Sequence, residues 1–215
     1  MLAIIDYQAG NQTSVKRALD HLGIPSQITS DPKVLMKALG LIFPGVGAAG
    51  QAMKVLSKSG LDRVMIELTS QGRPMLGICL GCQIMLEYSQ ENDTQTLGLF
   101  PGQTVMFPDN LLDFDQRPIR VPHMGWNTVA FKKRSPLWEN LEPTDQFYFV
   151  HSYYPNPAKE LILGVTWHGQ DFCSVYGREG LWALQFHPEK SGRPGLTILK
   201  NFFRHCLEGE KNLAK

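Results

Sequence analysis

Seven residues, Gly77-Ile78-Cys79-Leu80-Gly81-Cys82-Gln83, constrain this chain most, because they set a cysteine between two glycines where an apolar run meets an amphipathic one. The run from Pro74 to Ile78 reads as a buried strand, and Leu80, Ile84, Met85 and Glu87 read as the start of a helix directly behind it. A thiol delivered into such an elbow sits at a helix N-terminus, where unpaired N–H groups carry partial positive charge and favour the thiolate. Gly77 and Gly81 supply the clearance so tight a turn needs. The predicted role of Cys79 is therefore a nucleophile.

A nucleophilic cysteine needs a base, and the chain offers six histidines: His21, His123, His151, His168, His187 and His205. His187 stands apart through its setting. The segment Leu181 to Phe186 reads as a strand and is followed at once by His187-Pro188-Glu189-Lys190, with Pro188 ending the strand. A histidine leaving a sheet at a fixed angle can turn one ring nitrogen to a thiol and the other to Glu189. Cys79, His187 and Glu189 thus form a candidate nucleophile, base and orienter. The other histidines carry plainer expectations: His123 and His151 as positional residues, and His21, His168 and His205 at the surface or at helix ends.

Cys79 and Cys82 also have C-x-x-C spacing, which admits a dithiol redox reading or a zinc site. A zinc ribbon needs a second pair at similar spacing, and Cys173 and Cys206 lie far apart. Cys82 is expected to be a small buried residue. The composition narrows the choice of partners further. The 215 residues suffice for one domain, spanning residues 1–215, with a core that needs no disulfide or metal. A net charge of +1 lacks the basic footprint of a nucleic-acid binder. Lys132-Lys133-Arg134, before Ser135-Pro136, reads as a solvated turn. No apolar run is long enough to span a membrane. Met1 to Asp6 is too short and too soon acidic for a signal peptide, and reads as a first buried strand. A cytoplasmic address and reduced thiols follow as expectations.

Along the first half, strand and helix patterns alternate: a strand at Leu2–Asp6, a helix through Ser14, Val15, Ala18, Leu19 and Leu22, a strand at Pro25–Thr29, and a helix capped by Asp31-Pro32. Leu41-Ile42-Phe43 then runs into Pro44-Gly45-Val46-Gly47, followed by helices over Ala49–Ser57 and Leu61–Gln71. This alternation predicts an α/β fold with a parallel sheet covered on both faces and its chemistry at the carboxyl ends of the strands. The second half carries short strand-like runs at 97–107, 118–121, 127–131, 147–150, 161–167, 172–176 and 181–186, which predict an antiparallel extension of the same sheet. Leu196, Leu199, Phe202, Phe203 and Cys206 predict a closing helix over one face.

Taken together, the G-x-C-x-G-x-Q elbow at 77–83 and the late His187-Pro188-Glu189 resemble the class I, triad-type glutamine amidotransferases. Asp6-Tyr7-Gln8-Ala9-Gly10-Asn11, Pro44-Gly45-Val46-Gly47, Pro122-His123-Met124-Gly125-Trp126-Asn127, Tyr148-Phe149-Val150-His151-Ser152-Tyr153 and His187-Pro188-Glu189-Lys190 are similar to the glutaminase subunits of imidazole glycerol phosphate synthases. The resemblance runs from end to end. It implies the class I amidotransferase (flavodoxin-like) fold, a central mixed, mainly parallel sheet with helices on both faces, and hydrolysis of L-glutamine to glutamate and ammonia by Cys79, His187 and Glu189. It also implies an oxyanion hole from the Leu80 N–H and, after rotation of the Gly45–Val46 peptide, the Val46 N–H. Substrate contacts would come from Gly45, Gly47, Gln83, His151, Ser152 and Tyr153.

The same resemblance implies no cofactor and no metal. It implies a (βα)₈-barrel cyclase subunit as heterodimer partner, docked on Asn11, Met124, Trp126, Tyr148 and Lys190. One departure from the family pattern falls at Ala48-Ala49-Gly50-Gln51, where relatives commonly carry an aromatic and an acidic residue. A paralogous glutaminase feeding a different synthase, such as one that amidates a surface-polysaccharide sugar, is the alternative. A non-catalytic module of the same fold is the reading from outside enzymes.

Overall fold

The computed structural model describes residues 1–8 and 10–213. The first half folds as alternating strands and helices. These are β1 (Leu2–Ile5), α1 (Gln12–His21), β2 (Ser26–Thr29), α2 (Pro32–Lys37), β3 (Gly40–Gly45), α3 (Ala49–Ser59), α4 (Leu61–Ser70), β4 (Met75–Cys79) and α5 (Leu80–Gln83). Two small strands follow, β5 (Tyr88–Ser89) and β6 (Thr94–Gln95), and then β7 (Gly102–Met106), β8 (His123–Thr128) and β9 (Ala130–Phe131). The chain closes through β10 (Gln146–His151), β11 (Tyr153–Pro157), β12 (Ile162–Trp167), β13 (Asp171–Arg178), β14 (Leu181–Leu184) and the helix α6 (Gly192–Leu213).

The main sheet has eight strands in the order β2-β1-β3-β4-β14-β13-β12-β9. Its first five strands pair in parallel, and β13, β12 and β9 continue it antiparallel. Strand β4 lies at its heart, between β3 and β14. The inner parallel strands β1, β3, β4 and β14 are buried at every position because both of their faces are covered, whereas β2, Ser-Gln-Ile-Thr at the edge, is only partly buried. Alternate residues fall into two cores. Leu2, Ile4, Ile42, Leu76, Ile78, Trp182 and Leu184 pack with Val15 and Leu19 of α1 and Ile198, Leu199 and Phe202 of α6. Ala3, Ile5, Leu41, Phe43 and Met75 pack with Leu35 of α2, Leu56 of α3 and Leu61 and Met65 of α4. Each of these large aliphatic side chains contributes on the order of 1.5–3 kcal/mol by leaving water.

The structure corrects four expectations. The helix behind Cys79 is one turn long rather than running through Glu87. The carbonyls of Ile84, Met85 and Leu86 instead accept the backbone N–H groups of Leu97, Leu99, Phe100 and Gly98 at 2.7–3.1 Å. That exchange also removes residues 97–101 from the expected strand, which begins only at Gly102. The 118–121 run forms no strand: Pro118 makes a lone bridge to Leu112, across a loop whose Asp113 carboxylate accepts from the N–H groups of Asp115 and Arg117. Finally, the antiparallel strands do not all join one sheet. Strands β11, β7, β5 and β6 form a separate four-stranded sheet, and β10 pairs with β8 alone. Both flank the carboxyl end of β4.

Candidate active site

Strand β4 and the following turn place Cys79 where the sequence predicts, at φ 54° and ψ −113°, a backbone region costly for a residue with a Cβ. Packing enforces that geometry. A methyl group on Gly81 would overlap the Phe43 carbonyl of β3, so only glycine lets the elbow close against the neighbouring strand. Gly45 lies beside Cys79 in the β3–β4 register, close to the Gly81 N–H, and its open side faces the Tyr7 hydroxyl. That hydroxyl is buried and without a hydrogen-bond partner among the described residues. Burial and then the charge of Cys79 push its pKa up.

His187 leaves β14 and enters a 3-10 turn over Pro188–Lys190. Its Nδ1 lies 2.7 Å from Glu189 Oε1, and both side chains are fully buried. Its Nε2 is buried and has no hydrogen-bond partner among the described residues, and it faces the cavity that it shares with the thiol. Burial opposes a charge on the ring. The Cys79 thiolate and the hydrogen bond and charge of Glu189 outweigh burial and raise the imidazole to about 10. The ring therefore carries its proton at neutral pH, on the side of the cavity that holds the thiol.

The cavity measures about 410 Å³ and is lined by Val46, Gly47, Cys79, Leu80, Gln83, His151, Ser152, Tyr153 and His187, with Glu91, Pro122 and Val150. The predicted residues thus converge on one space, with Gly45 directly behind Val46. Glu91 was missed by sequence reasoning. Its carboxylate accepts the Ala49 N–H at 2.7 Å and brings a negative charge to the cavity wall. Nothing in its polar neighbourhood, Ser89 to Thr94, distinguishes it from a solvated turn.

Behind His151, which lines the cavity, lies a cluster of histidines. His123 Nδ1 and His151 Nε2 lie 3.1 Å apart, and the His123 and His168 rings stack at 4.1 Å between centroids. His151 Nδ1 donates to the Tyr153 carbonyl at 2.8 Å, and His168 Nε2 donates to the Arg120 carbonyl at 3.0 Å. Burial, and then the neighbouring rings, hold His123 down to about 3 and His151 well below the usual range. His168, expected at the surface or at a helix end, is half-buried in the turn between β12 and β13, with its ring against His123. The positional reading of His123 and His151 agrees with their burial.

The residues expected to dock a partner lie beside the site. Along β8, Met124 and Trp126 face outward and are 63% and 54% exposed, while His123 faces in. The Trp126 and Tyr148 rings meet edge to face at 6.1 Å, and Lys190 Nζ sits 5.9 Å over the Tyr148 ring. The Tyr148 carbonyl accepts the His187 N–H at 2.9 Å, so this surface is one hydrogen bond from the base. Asn11 is different: its side chain turns inward, donating to Glu189 Oε1 at 2.7 Å. All four cysteines are free and buried.

Fold and site together define a class I glutamine amidotransferase. The model of that family, "Glutamine amidotransferase class-I", matches residues 3–206. The imidazole glycerol phosphate synthase subunit HisH of Maridesulfovibrio salexigens is 60% identical over 97% of this chain and 98% of its own length. HisH of Listeria monocytogenes serotype 4b is 42% identical over 98% of this chain and all of its own. A solved glutamine amidotransferase structure superposes with a TM-score of 0.73 at 17% identity, covering 95% of this chain and 98% of that one, a likeness of fold alone. The chain belongs to the class I glutamine amidotransferase family and, within it, to the branch of imidazole glycerol phosphate synthase HisH subunits.

Proposed function

We propose that this chain, as one amidotransferase domain, hydrolyses L-glutamine to glutamate and ammonia and passes the ammonia to a (βα)₈-barrel cyclase subunit that forms imidazole glycerol phosphate in histidine biosynthesis. The observation that carries the reading is the convergence of Cys79, the His187–Glu189 pair and the Gly45–Gly47 loop on one amino-acid-sized cavity. Identity of 60% to a HisH subunit supports the pathway. No helix among the described residues is long and apolar enough to cross a membrane, and cytoplasmic residence fits that.

In this mechanism the Cys79 thiolate attacks the carboxamide carbon of glutamine. The carbonyl oxygen becomes an oxyanion that the Leu80 and Val46 N–H groups receive, each good donor being worth roughly 3 kcal/mol. The His187 imidazolium gives its proton to the departing ammonia as the C–N bond breaks, leaving a thioester on Cys79. The imidazole then takes a proton from water as that water attacks the thioester, and returns it to the sulfur as glutamate leaves. Glu189 holds the ring through Nδ1. The α-ammonium of the substrate finds an opposite charge in Glu91.

Val46 is 37% exposed at the mouth of the cavity. We assign rotation of the Gly45–Val46 peptide as the step that completes the oxyanion hole, and docking of the barrel over Met124, Trp126, Tyr148 and Lys190 as its trigger. The test is glutamate release by the chain alone and with the barrel and its nucleotide substrate. Strong stimulation, abolished by Cys79→Ala, is the expected result. A rate indifferent to the barrel contradicts the coupling, and no glutamate in either condition contradicts the chemistry.

A further inference from the structure

A cysteine at the head of a long helix receives its charge stabilisation from the aligned peptide dipoles, but α5 is a single turn of four residues. The thiolate in this site must find hydrogen-bond donors elsewhere. Gln185 stands in the right place. In the β14–β4 register Leu184 pairs with Ile78, which brings the next residue, the fully buried Gln185, level with Cys79. One end of its carboxamide lies 3.8 Å from Cys79 Sγ.

Which end faces the sulfur is fixed by a chain of hydrogen bonds. Gln83 places one atom of its amide 2.7 Å from the Tyr153 carbonyl oxygen, which can only accept, so that atom is Nε2. The same nitrogen lies 2.9 Å from Gln185, and the group it meets there must also accept, so that atom is Oε1. The Gln185 Nε2 therefore points at Cys79. Cys82 agrees with the assignment. Its Sγ lies 3.8 Å from the same Gln185 Oε1, and burial followed by the charge of Cys79 holds it well above the usual thiol range, so it remains a donor.

We propose that the Gln185 carboxamide is a catalytic hydrogen-bond donor to the Cys79 thiolate, held in its donating orientation by Gln83 and Tyr153, and that it supplies what the one-turn helix does not. The assignment deepens the glutaminase reading and rests on it for the role of Cys79. It makes no use of His187, which approaches the thiol from the cavity side.

The test is the pH dependence of Cys79 alkylation by iodoacetamide in the purified chain, without glutamine or barrel, followed by mass spectrometry of the Cys79 peptide. Gln185→Met keeps the length of the side chain and removes the donor. The inflection is expected to move up by about one pH unit, with alkylation slowed about tenfold at pH values well below it, the usual effect of losing a hydrogen bond to a charged group. A merely structural role would lower the urea midpoint and leave the inflection where it was. Where Gln185→Met does not fold, Gln83→Leu releases the orientation of Gln185 and is expected to shift the inflection the same way by a smaller amount. An unmoved inflection in the folded variant overturns the proposal. Glutamate release with the barrel is recorded separately: its absence in the wild type, with the alkylation shift intact, overturns the glutaminase reading and leaves the donor in place.

Discussion

The Asn11 carboxamide donates to Glu189 Oε1 at 2.7 Å, so the first loop of the chain holds the carboxylate that holds His187. Asn11 stands at the N-cap of α1 with φ 85° and makes no side-chain cap to that helix, because its amide is committed across the structure. The resemblance placed it on the docking face. Its side chain links that loop to the imidazole–carboxylate pair. Asn11→Gly keeps the left-handed backbone and removes the amide. Glutamate release with the barrel present is expected to fall about tenfold in kcat with KM little changed. A change confined to KM would assign Asn11 to substrate binding instead.

Stability should fall in acid because of the histidine cluster. His123 is held down to about 3, and His151 and His168 are also lowered, all chiefly by burial. Between pH 6.5 and 3 the unfolded chain takes up protons that the folded chain refuses, so stability drops as pH falls through that window, by up to about 1.4 kcal/mol per pH unit for each of His123 and His151 and by less for the half-exposed His168. Urea midpoints measured from pH 7 to pH 4 should show a shallower fall in His123→Gln than in the wild type. Equal slopes would remove the cluster as the cause.

Gly81→Ala should cost stability and Cys79 reactivity together. The added methyl meets the Phe43 carbonyl, a backbone atom in the middle of the main sheet that cannot swing aside. A loss of roughly 1–3 kcal/mol or more is expected in urea unfolding, with slower alkylation of Cys79 at pH 7. Retained stability would mean that the elbow has room the packing denies.

Trp126→Ala should weaken the barrel complex about thirtyfold, since an exposed tryptophan beside Met124 has the size and place of an interface anchor. Titration calorimetry reads the affinity. Alkylation of Cys79 in the isolated chain should be unchanged, because Trp126 does not line the cavity. Unaltered affinity would move the docking surface elsewhere.

The parallel core was readable because β1, β3 and β4 are apolar at every position and α1, α3 and α4 carry regular amphipathic spacing. Asp31-Pro32 marked the start of α2, and the Asp31 carboxylate does accept the Lys33 N–H at 2.9 Å. The positions of Cys79, His187 and Glu189 were readable because their local turns are written in Gly, Pro and sequence spacing. The length of α5 was not: Ile84, Met85 and Leu86 look helical, and only the distant N–H groups of residues 97–100 decide otherwise. Glu91, Gln185 and the inward turn of Asn11 were hidden for the same reason. Each gains its place from a partner at least 42 positions away. The division of the second half into three sheets likewise depends on which strand finds which neighbour, and short strands of two residues carry no periodicity to announce it.

The amide of Gln83 has a consequence for selectivity. Both of its hydrogens are engaged, one by the Tyr153 carbonyl and one by Gln185, so toward the cavity it offers only an oxygen. Glu91 on the same wall offers oxygens as well. A wall of acceptors welcomes an ammonium or an uncharged carboxamide and repels a carboxylate. In the proposed reaction this lining suits the ammonium that glutamine carries, while the negative oxygen that forms at Cys79 is left to the N–H groups of the elbow and the neighbouring loop.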